Sequence, residues 1–303
     1  MAISRGQLVK ELEPGLNALF GLEYKRYENQ HAEIYTTESS DRAFEEEVML
    51  SGFAQAQTKS EGAGVTFDNA QETYTARYTH ETVALAFSIT EEAIEDNLYD
   101  RLASRYTKAL ARSMANTKQV KAVAPLINGL PTNDAFDSGD GVSLFNTSHP
   151  TIAGTVANTL ATQADLNETS LEQSLIDIAA MTDERGLKIA ARGVKMIVPS
   201  ENQFNAERLM KSQGRTGTAD NDINAIASMG MVPQGYRVNN FLTDPDAFYI
   251  ITDVPNGMKY FDRASIKTAM EGDFDTGNVR YKARERYSFG VSDYRGIFGV
   301  EGV

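Results

Sequence analysis

Three histidines (His31, His80 and His149) and a run of carboxylates at Asp134, Asp137 and Asp140 are the side chains whose types could do chemistry. A hydrolase could use Asp134, Asp137 or His149 to move a proton, and carboxylates three apart could hold calcium. The aspartate spacing misses the EF-hand loop and has no bidentate glutamate at its end, so no metal is expected there. The histidines fall in three separate segments. No GxSxG, HExxH, GxGxxG or Walker loop supplies the context a triad, a zinc site or a nucleotide site needs. His149, followed by Pro150, reads as a histidine satisfied inside a loop. The chain has no cysteine, which excludes disulfides, thiol catalysis and cysteine-based zinc sites. No catalytic, cofactor-binding or metal-binding residue is assigned, and no enzyme activity is expected.

The elements around these residues are more informative. The chain has 303 residues, 41% hydrophobic and 23% charged, enough for one elaborate domain or two smaller ones. No run approaches the ~18 apolar residues of a membrane helix, and the N-terminus lacks the apolar core of a signal peptide. A net charge of −13 argues against tight, non-specific nucleic-acid binding, which needs lysine and arginine against phosphate.

The central stretch runs from Glu81 to Ala124. It starts as a strand and passes into a long helix that Thr90 is placed to cap. Acids at Glu91, Glu92, Glu95 and Asp96 load the first turn. Arg101, Arg105, Lys108, Arg112, Lys118 and Lys121 load the rest, an order that complements the helix dipole. Ile94, Leu98, Leu102, Tyr106, Leu110 and Met114 recur every four residues as one apolar stripe, and Pro125 is expected to end the helix. Thr90 to Val123 would span about 50 Å, a beam for the other parts.

Before it, Leu8, Leu12, Leu16, Leu19 and Leu22 give short helical stripes, interrupted at Pro14-Gly15. This arm lies either on its own domain or on a neighbouring chain. Ser40 to Met49, with Glu45-Glu46-Glu47, reads as a short helix. Ala54 to Gly64 is small and polar, as a loop tip would be. From Thr73 to Ile89 apolar residues alternate, first Tyr74, Ala76 and Tyr78, then Val83, Leu85, Phe87 and Ile89. The change of parity predicts a bulge near Glu81-Thr82. A long hairpin leaving the body fits, and an isolated hairpin is marginal in water, so this one is expected to lie on another subunit.

Asn128 to Ala164 is one long connection. Leu166 to Gly186 reads as a helix capped by Asp165 or Asn167, Val194 to Val198 as a strand, and Ser200 as the cap of a helix through Met210. Ile223 to Met229 reads as a short helix, with Tyr236–Val238 and Ala247–Ile251 as strands, so a small sheet flanked by helices is expected. Met258–Asp262 and Ile266–Met270 are strand-like. In the last strand Val279, Tyr281, Ala283, Glu285, Tyr287, Phe289 and Val291 share one side, and Arg280, Lys282, Arg284 and Arg286 the other. Four such cations repel unless acids sit opposite, on the start of the long helix or on a neighbouring chain. Parts that cannot bury themselves imply a closed symmetric assembly.

The run EGAGVTFDNAQETYTARYTHETVALAFSITEEAIEDNLYDRLASRYTKALARSMANTKQVKA resembles the hairpin and backbone helix of tailed-bacteriophage major capsid proteins, of the group related to the phage Mu major head subunit. DLNETSLEQSLIDIAAMTDERG, GTADNDINAIASMGMVPQGY and MEGDFDTGNVRYKARERYSFGVSDYRGIFG are similar to later blocks of those proteins, in the same order. The resemblance implies the α+β Hong Kong 97-like fold. It would have an N-terminal arm at 1–35, a connecting helix at 36–49 and an extended hairpin at 50–88. A peripheral domain would comprise 89–128 and 258–303, and an axial domain 129–257. It also implies copies that form hexamers and pentamers of an icosahedral shell around phage DNA, in the virion, after assembly in the bacterial cytoplasm. Portal, a separate scaffold and possible decoration proteins are the implied partners, with only weak contact to packaged DNA and no membrane. An encapsulin-like nanocompartment shell and a soluble hydrolase are the alternatives. Some relatives cross-link a hairpin lysine to a neighbour's asparagine; Lys59 lies near the tip here and reads as an ordinary solvated lysine.

Overall fold

A computed structural model describes residues 5–90, 92, 99–133, 135–214, 222–273 and 277–303. Helix α1 (Arg5–Arg26) leads into a short strand β1 (Thr36–Ser39), then β2 (Phe44–Leu50), β3 (Glu72–Thr79) and β4 (Glu81–Ile89). The long helix α2 (Tyr99–Asn128) follows, then a small hairpin of β5 (His149–Thr151) and β6 (Gly154–Val156), and helix α3 (Glu168–Ala180). Strand β7 (Gly193–Val198), helices α4 (Gln203–Lys211) and α5 (Ala225–Met229), and strands β8 (Tyr236–Val238) and β9 (Phe248–Thr252) come next. The chain ends with β10 (Met258–Gly272), β11 (Val279–Val291) and β12 (Ile297–Val300).

Two four-stranded sheets organise these elements. The first has the order β1-β10-β11-β4, with β1 parallel to β10 and the rest antiparallel. The second has the order β12-β9-β7-β8 and is covered by α3. Its strand β7 reads GVKMIV and β9 reads FYIIT; Met196, Ile197, Phe248, Tyr249 and Ile250 are fully buried, as expected of a sheet covered on both faces. Phe145 packs over β12 only because position 299 is glycine: a Cβ there would lie 2.6 Å from the ring.

The beam is present. Its described part is 30 residues, about 45 Å at 1.5 Å per residue. It does not stop at Pro125, which sits inside the final turn. The expected cap at Thr90, the acids Glu91, Glu95 and Asp96, and the stripe positions Ile94 and Leu98 adjoin or lie outside the described residues; Glu92 is helical. A strict four-residue recurrence drifts about 40° per step on a helix of 3.6 residues per turn. The buried face is therefore Ala103, Thr107, Leu110, Ala111 and Met114, while Tyr106 is 50% exposed.

Other expectations need correction. Helix α1 runs unbroken through Pro14, because Leu16 and Phe20 pack against α2 and β11 in a buried cluster. At least this part of the arm rests on its own domain. Residues 36–49 contain no helix: Thr36–Ser39 and Phe44–Leu50 are strands. The strand from Thr73 to Ile89 is two strands in different places. β3 pairs with β2, β4 pairs with β11, and the parity change falls at His80, where the chain changes partner. Helix α3 is capped by Asn167 in a reciprocal box with Ser170, and it ends at Ala180 rather than Gly186. Gly186 (φ 82°) instead closes a turn between Asp183 and Leu187. Ser200 caps nothing; α4 begins after Asn202, and the Ser200 hydroxyl donates to Glu201. The two strands expected at 258–270 are one bulged strand, and β12 leaves the C-terminal group to pair with β9 in the second sheet.

Candidate assembly surfaces

Between β2 and β3 the chain leaves the body. Residues 53–70 are all without regular structure or in a turn, and all are exposed. The excursion is tied only at its root. The Ser51 amide donates to the Gln71 carbonyl at 2.9 Å, and the Gln71 amide donates to Ser51 Oγ at 3.0 Å. Further out, the Ala54 amide donates to Asp68 at 2.7 Å, and Arg185 donates to the Asn69 carbonyl at 2.6 Å. Phe53, between the two ties, and Val65 and Phe67, beyond them, are exposed, Phe67 by 93%. The Phe44, Val48 and Leu50 side chains continue that apolar row along the outer face of β2. An exposed apolar row of this extent is a surface awaiting a partner. Lys59, at the tip, is exposed and has no partner among the described residues.

The root is seated firmly. Tyr78 stands edge-on to Phe261 at 4.8 Å and bonds Ser292 through its hydroxyl. Its ring occupies the space that a Cβ at Gly290 would fill, 2.6 Å away. His80 lies in the crossing between the two strands, with Nε2 2.9 Å from Ser40 Oγ and Nδ1 2.9 Å from Ser288 Oγ. Ser40 in turn donates to Glu45 at 2.7 Å. Burial, with Arg286 nearby, holds the His80 ring below its usual pKa. Lys259 reaches both Glu38 and Glu47, joining β1 and β2 to β10. The acidic run on β2 is thus structural: Glu46 pairs across the hairpin with Arg77 at 3.6 Å.

Beneath the first sheet, α1, α2 and β11 meet at a buried ion pair. Lys118 Nζ lies 2.7 Å from Glu285 Oε2, and the Tyr24 hydroxyl donates to the same oxygen at 3.1 Å. The Lys118 ammonium also sits over the rings of Tyr24, Tyr260 and Tyr287. Burial raises the Glu285 carboxyl above its ordinary pKa, although Lys118 and Tyr24 pull it down. Nearby, His31 accepts from the Gln119 amide at 2.9 Å; burial, with Lys118 close by, lowers its pKa to about 4. An acid at an inward position of an alternating strand was the sequence signal for this pair; its partner on α2 was not legible.

The histidines and aspartates that could do chemistry are distributed rather than assembled. His149 lies flat on Tyr294 at 3.8 Å, with one ring nitrogen 2.6 Å from Asp140 and the other 3.0 Å from Asn158. Neither nitrogen is free to take a proton from a substrate. Burial pushes the Asp140 carboxyl up, but bonds from His149 and Ser138 outweigh it and hold the group below the usual range. Asp137 accepts from the Gly139 and Gly141 amides, a turn-forming role. Asp134 lies outside the described residues. Among the described residues no group of three or more candidate ligands could hold a metal, and no helix is long and apolar enough to cross a membrane.

A second exposed apolar region lies at α4 and α5: Phe204 on α4, Met229 on α5 and Ile223, two residues before α5, are all exposed, Met229 by 70%.

The model of a phage capsid protein family matches residues 73–300, most of the chain. Among solved structures, the chain is similar to the virus-like particle from Pyrococcus furiosus, at 8% identity over 94% of this chain and 98% of that one, with a TM-score of 0.54. It is similar to the capsid of an empty GTA particle, at 16% identity over 90% and 89%, TM-score 0.56. It is also similar to the capsid of cyanophage P-SCSP1u, at 12% identity over 89% and 86%, TM-score 0.57. At such identities the likeness speaks for the fold. No curated protein matches.

Proposed function

Because the chain belongs to the phage capsid protein family, we propose that its copies join as hexamers and pentamers and close an icosahedral head shell around DNA. The chain is a major capsid protein with the Hong Kong 97-like fold, a structural subunit of the virion capsid and not an enzyme. The observation that carries the proposal is the uncovered excursion between β2 and β3. Eighteen or so residues of exposed chain bearing Phe53, Val65 and Phe67 bury none of their apolar side chains in a lone subunit, and ordering them costs roughly 1–2 kcal/mol each in backbone entropy. A neighbouring copy supplies the missing contacts.

The division of labour follows the sheets. The reaching hairpin is β2 and β3 with the excursion between them, so its second boundary falls at Thr79 rather than 88. Strand β4 and residues 89–128, with β10 and β11, form the peripheral part that carries it. Residues 129–257, with β12, form the axial part, whose α4–α5 edge meets its equivalents. Portal, a separate scaffold and decoration proteins are further partners, and assembly takes place in the host cytoplasm. The acid excess, 42 against 29 bases, suits a lumen from which DNA must later leave. Expressed alone or with its scaffold, the protein is expected to give closed particles in negative-stain electron microscopy. A chain that remains a monomer under all such conditions contradicts the proposal.

A further inference from the structure

Two features of the first sheet are unexplained by anything the subunit does for itself. The inward residues of β11 are covered by α1 and α2, and the opposite face is open along the first half of the strand, before Tyr78 and His80 cover Gly290 and Ser288. Arg280, Lys282 and Arg284 stand exposed on that face. Arg280 is paired with Asp273, but Lys282 and Arg284 have no acidic partner among the described residues. Across the ladder on β10, Arg284 lies directly opposite Lys267. Like charges so placed are destabilising.

The second feature is the edge. β4 is the last strand of this sheet among the described residues, nine residues long. It contains no lysine, arginine or proline, the residues that usually blunt an exposed edge. Its outward positions opposite the cations are small: Ser88 faces Arg280, Ala86 faces Lys282 and Ala84 faces Arg284. Strands lie about 4.8 Å apart, so a strand added to β4 would run roughly 10 Å from β11. Lysine and arginine side chains can lie across methyl groups for most of that distance; large residues at 84 and 86 would block them.

We propose that the free edge of β4 receives an extended, acidic segment of a second copy of this chain. It adds as a fifth strand, with its carboxylates meeting Lys282, Arg284 and Lys267. The inference rests on the shell reading above. A polypeptide satisfies both features, the row of unpaired backbone groups and the cations, whereas duplex DNA satisfies only the second. A copy of this chain is a suitable donor because its acids outnumber its bases by 42 to 29.

The test compares the wild-type chain with K282E/R284E and K282R/R284K, and reads the threshold concentration for shell formation by sedimentation. Hydrogen exchange of the 81–89 peptide is followed in free subunits and in shells. K282E/R284E should raise the threshold on the order of tenfold, with an unchanged circular dichroism spectrum and a melting temperature no lower than that of the wild type, since a glutamate at 284 relieves the repulsion with Lys267. K282R/R284K should match the wild type, and the 81–89 amides should exchange more slowly in wild-type shells. An unchanged threshold in K282E/R284E overturns the proposal; if DNA retention falls instead, nucleic acid is the occupant. Unslowed exchange at 81–89 overturns it too, independently of whether the variant folds. If either result appears while wild-type shells form, the shell reading survives; a wild type that forms no shells removes both.

Discussion

The second sheet and the β2–β3 excursion are built on opposite terms. In the sheet, β7, β9 and β12 bury nearly every side chain, and the buried charge beside it is partnered: Arg295 meets Glu184 at 2.6 Å and donates to the Thr182 carbonyl at 2.9 Å, although the buried Tyr249 hydroxyl has no partner among the described residues. In the excursion, aromatic and branched side chains face solvent, and a few root bonds hold the chain. The sheet is complete within one copy and the excursion is not. Substitutions should therefore separate into those that unfold the subunit and those that spare it and stop assembly.

The largest effect is expected at the buried face of α2. Leu110, 4% exposed, packs under β11. L110D loses about 2–5 kcal/mol of packing and buries an unpaired charge at about 3–5 kcal/mol more. Together these approach the whole stability of a domain, and the subunit should not fold. Y106D, one turn away on the exposed side, should fold, which circular dichroism of the two variants decides.

K118M comes next. It leaves Glu285 buried without its cation and should cost about 3–5 kcal/mol at neutral pH in denaturant unfolding. Burial already raises the Glu285 pKa, so the folded variant takes up a proton more readily than the unfolded chain. Its deficit should shrink as pH falls.

The third prediction concerns pH in the wild type. His31 is held neutral, with a folded pKa of about 4 against 6.5. The unfolded chain binds the extra proton first, so this stability is full above pH 6.5 and lost as pH falls toward 4. The whole window is worth roughly 3 kcal/mol. H31Q should flatten that part of the melting-temperature profile, while Glu285 acts in the opposite direction. The smallest effect on stability belongs to the excursion: F67A should change unfolding by no more than about 0.5 kcal/mol while raising the threshold for shells.

Much of this contrast was legible in the sequence, and the failures have physical causes. The beam, the exposed tip and the small second sheet follow from period, composition and length. The helix expected at 40–49 is a strand because Glu45 and Glu47 turn inward to Ser40 and Lys259 while Phe44, Val48 and Leu50 turn outward. Its polarity is inverted relative to an ordinary surface strand, so no alternation of apolar residues marked it. Pro14 and Pro125 were read as breaks, yet packing along α1 and α2 outweighs a lost hydrogen bond. The parity change was visible, but not that it moves the chain between two sheets at His80, since that depends on β2 and β11 from distant parts of the sequence. No short motif could announce the assembly surfaces, because they are defined by what fails to cover them.

Removal of Gln57–Gly62, the outer part of the excursion, tests the central claim most directly, with particles counted by electron microscopy beside the wild type. The deleted chain should keep the melting temperature of the parent subunit and form no closed shells where the parent does. Normal shells from the deleted chain would contradict the account.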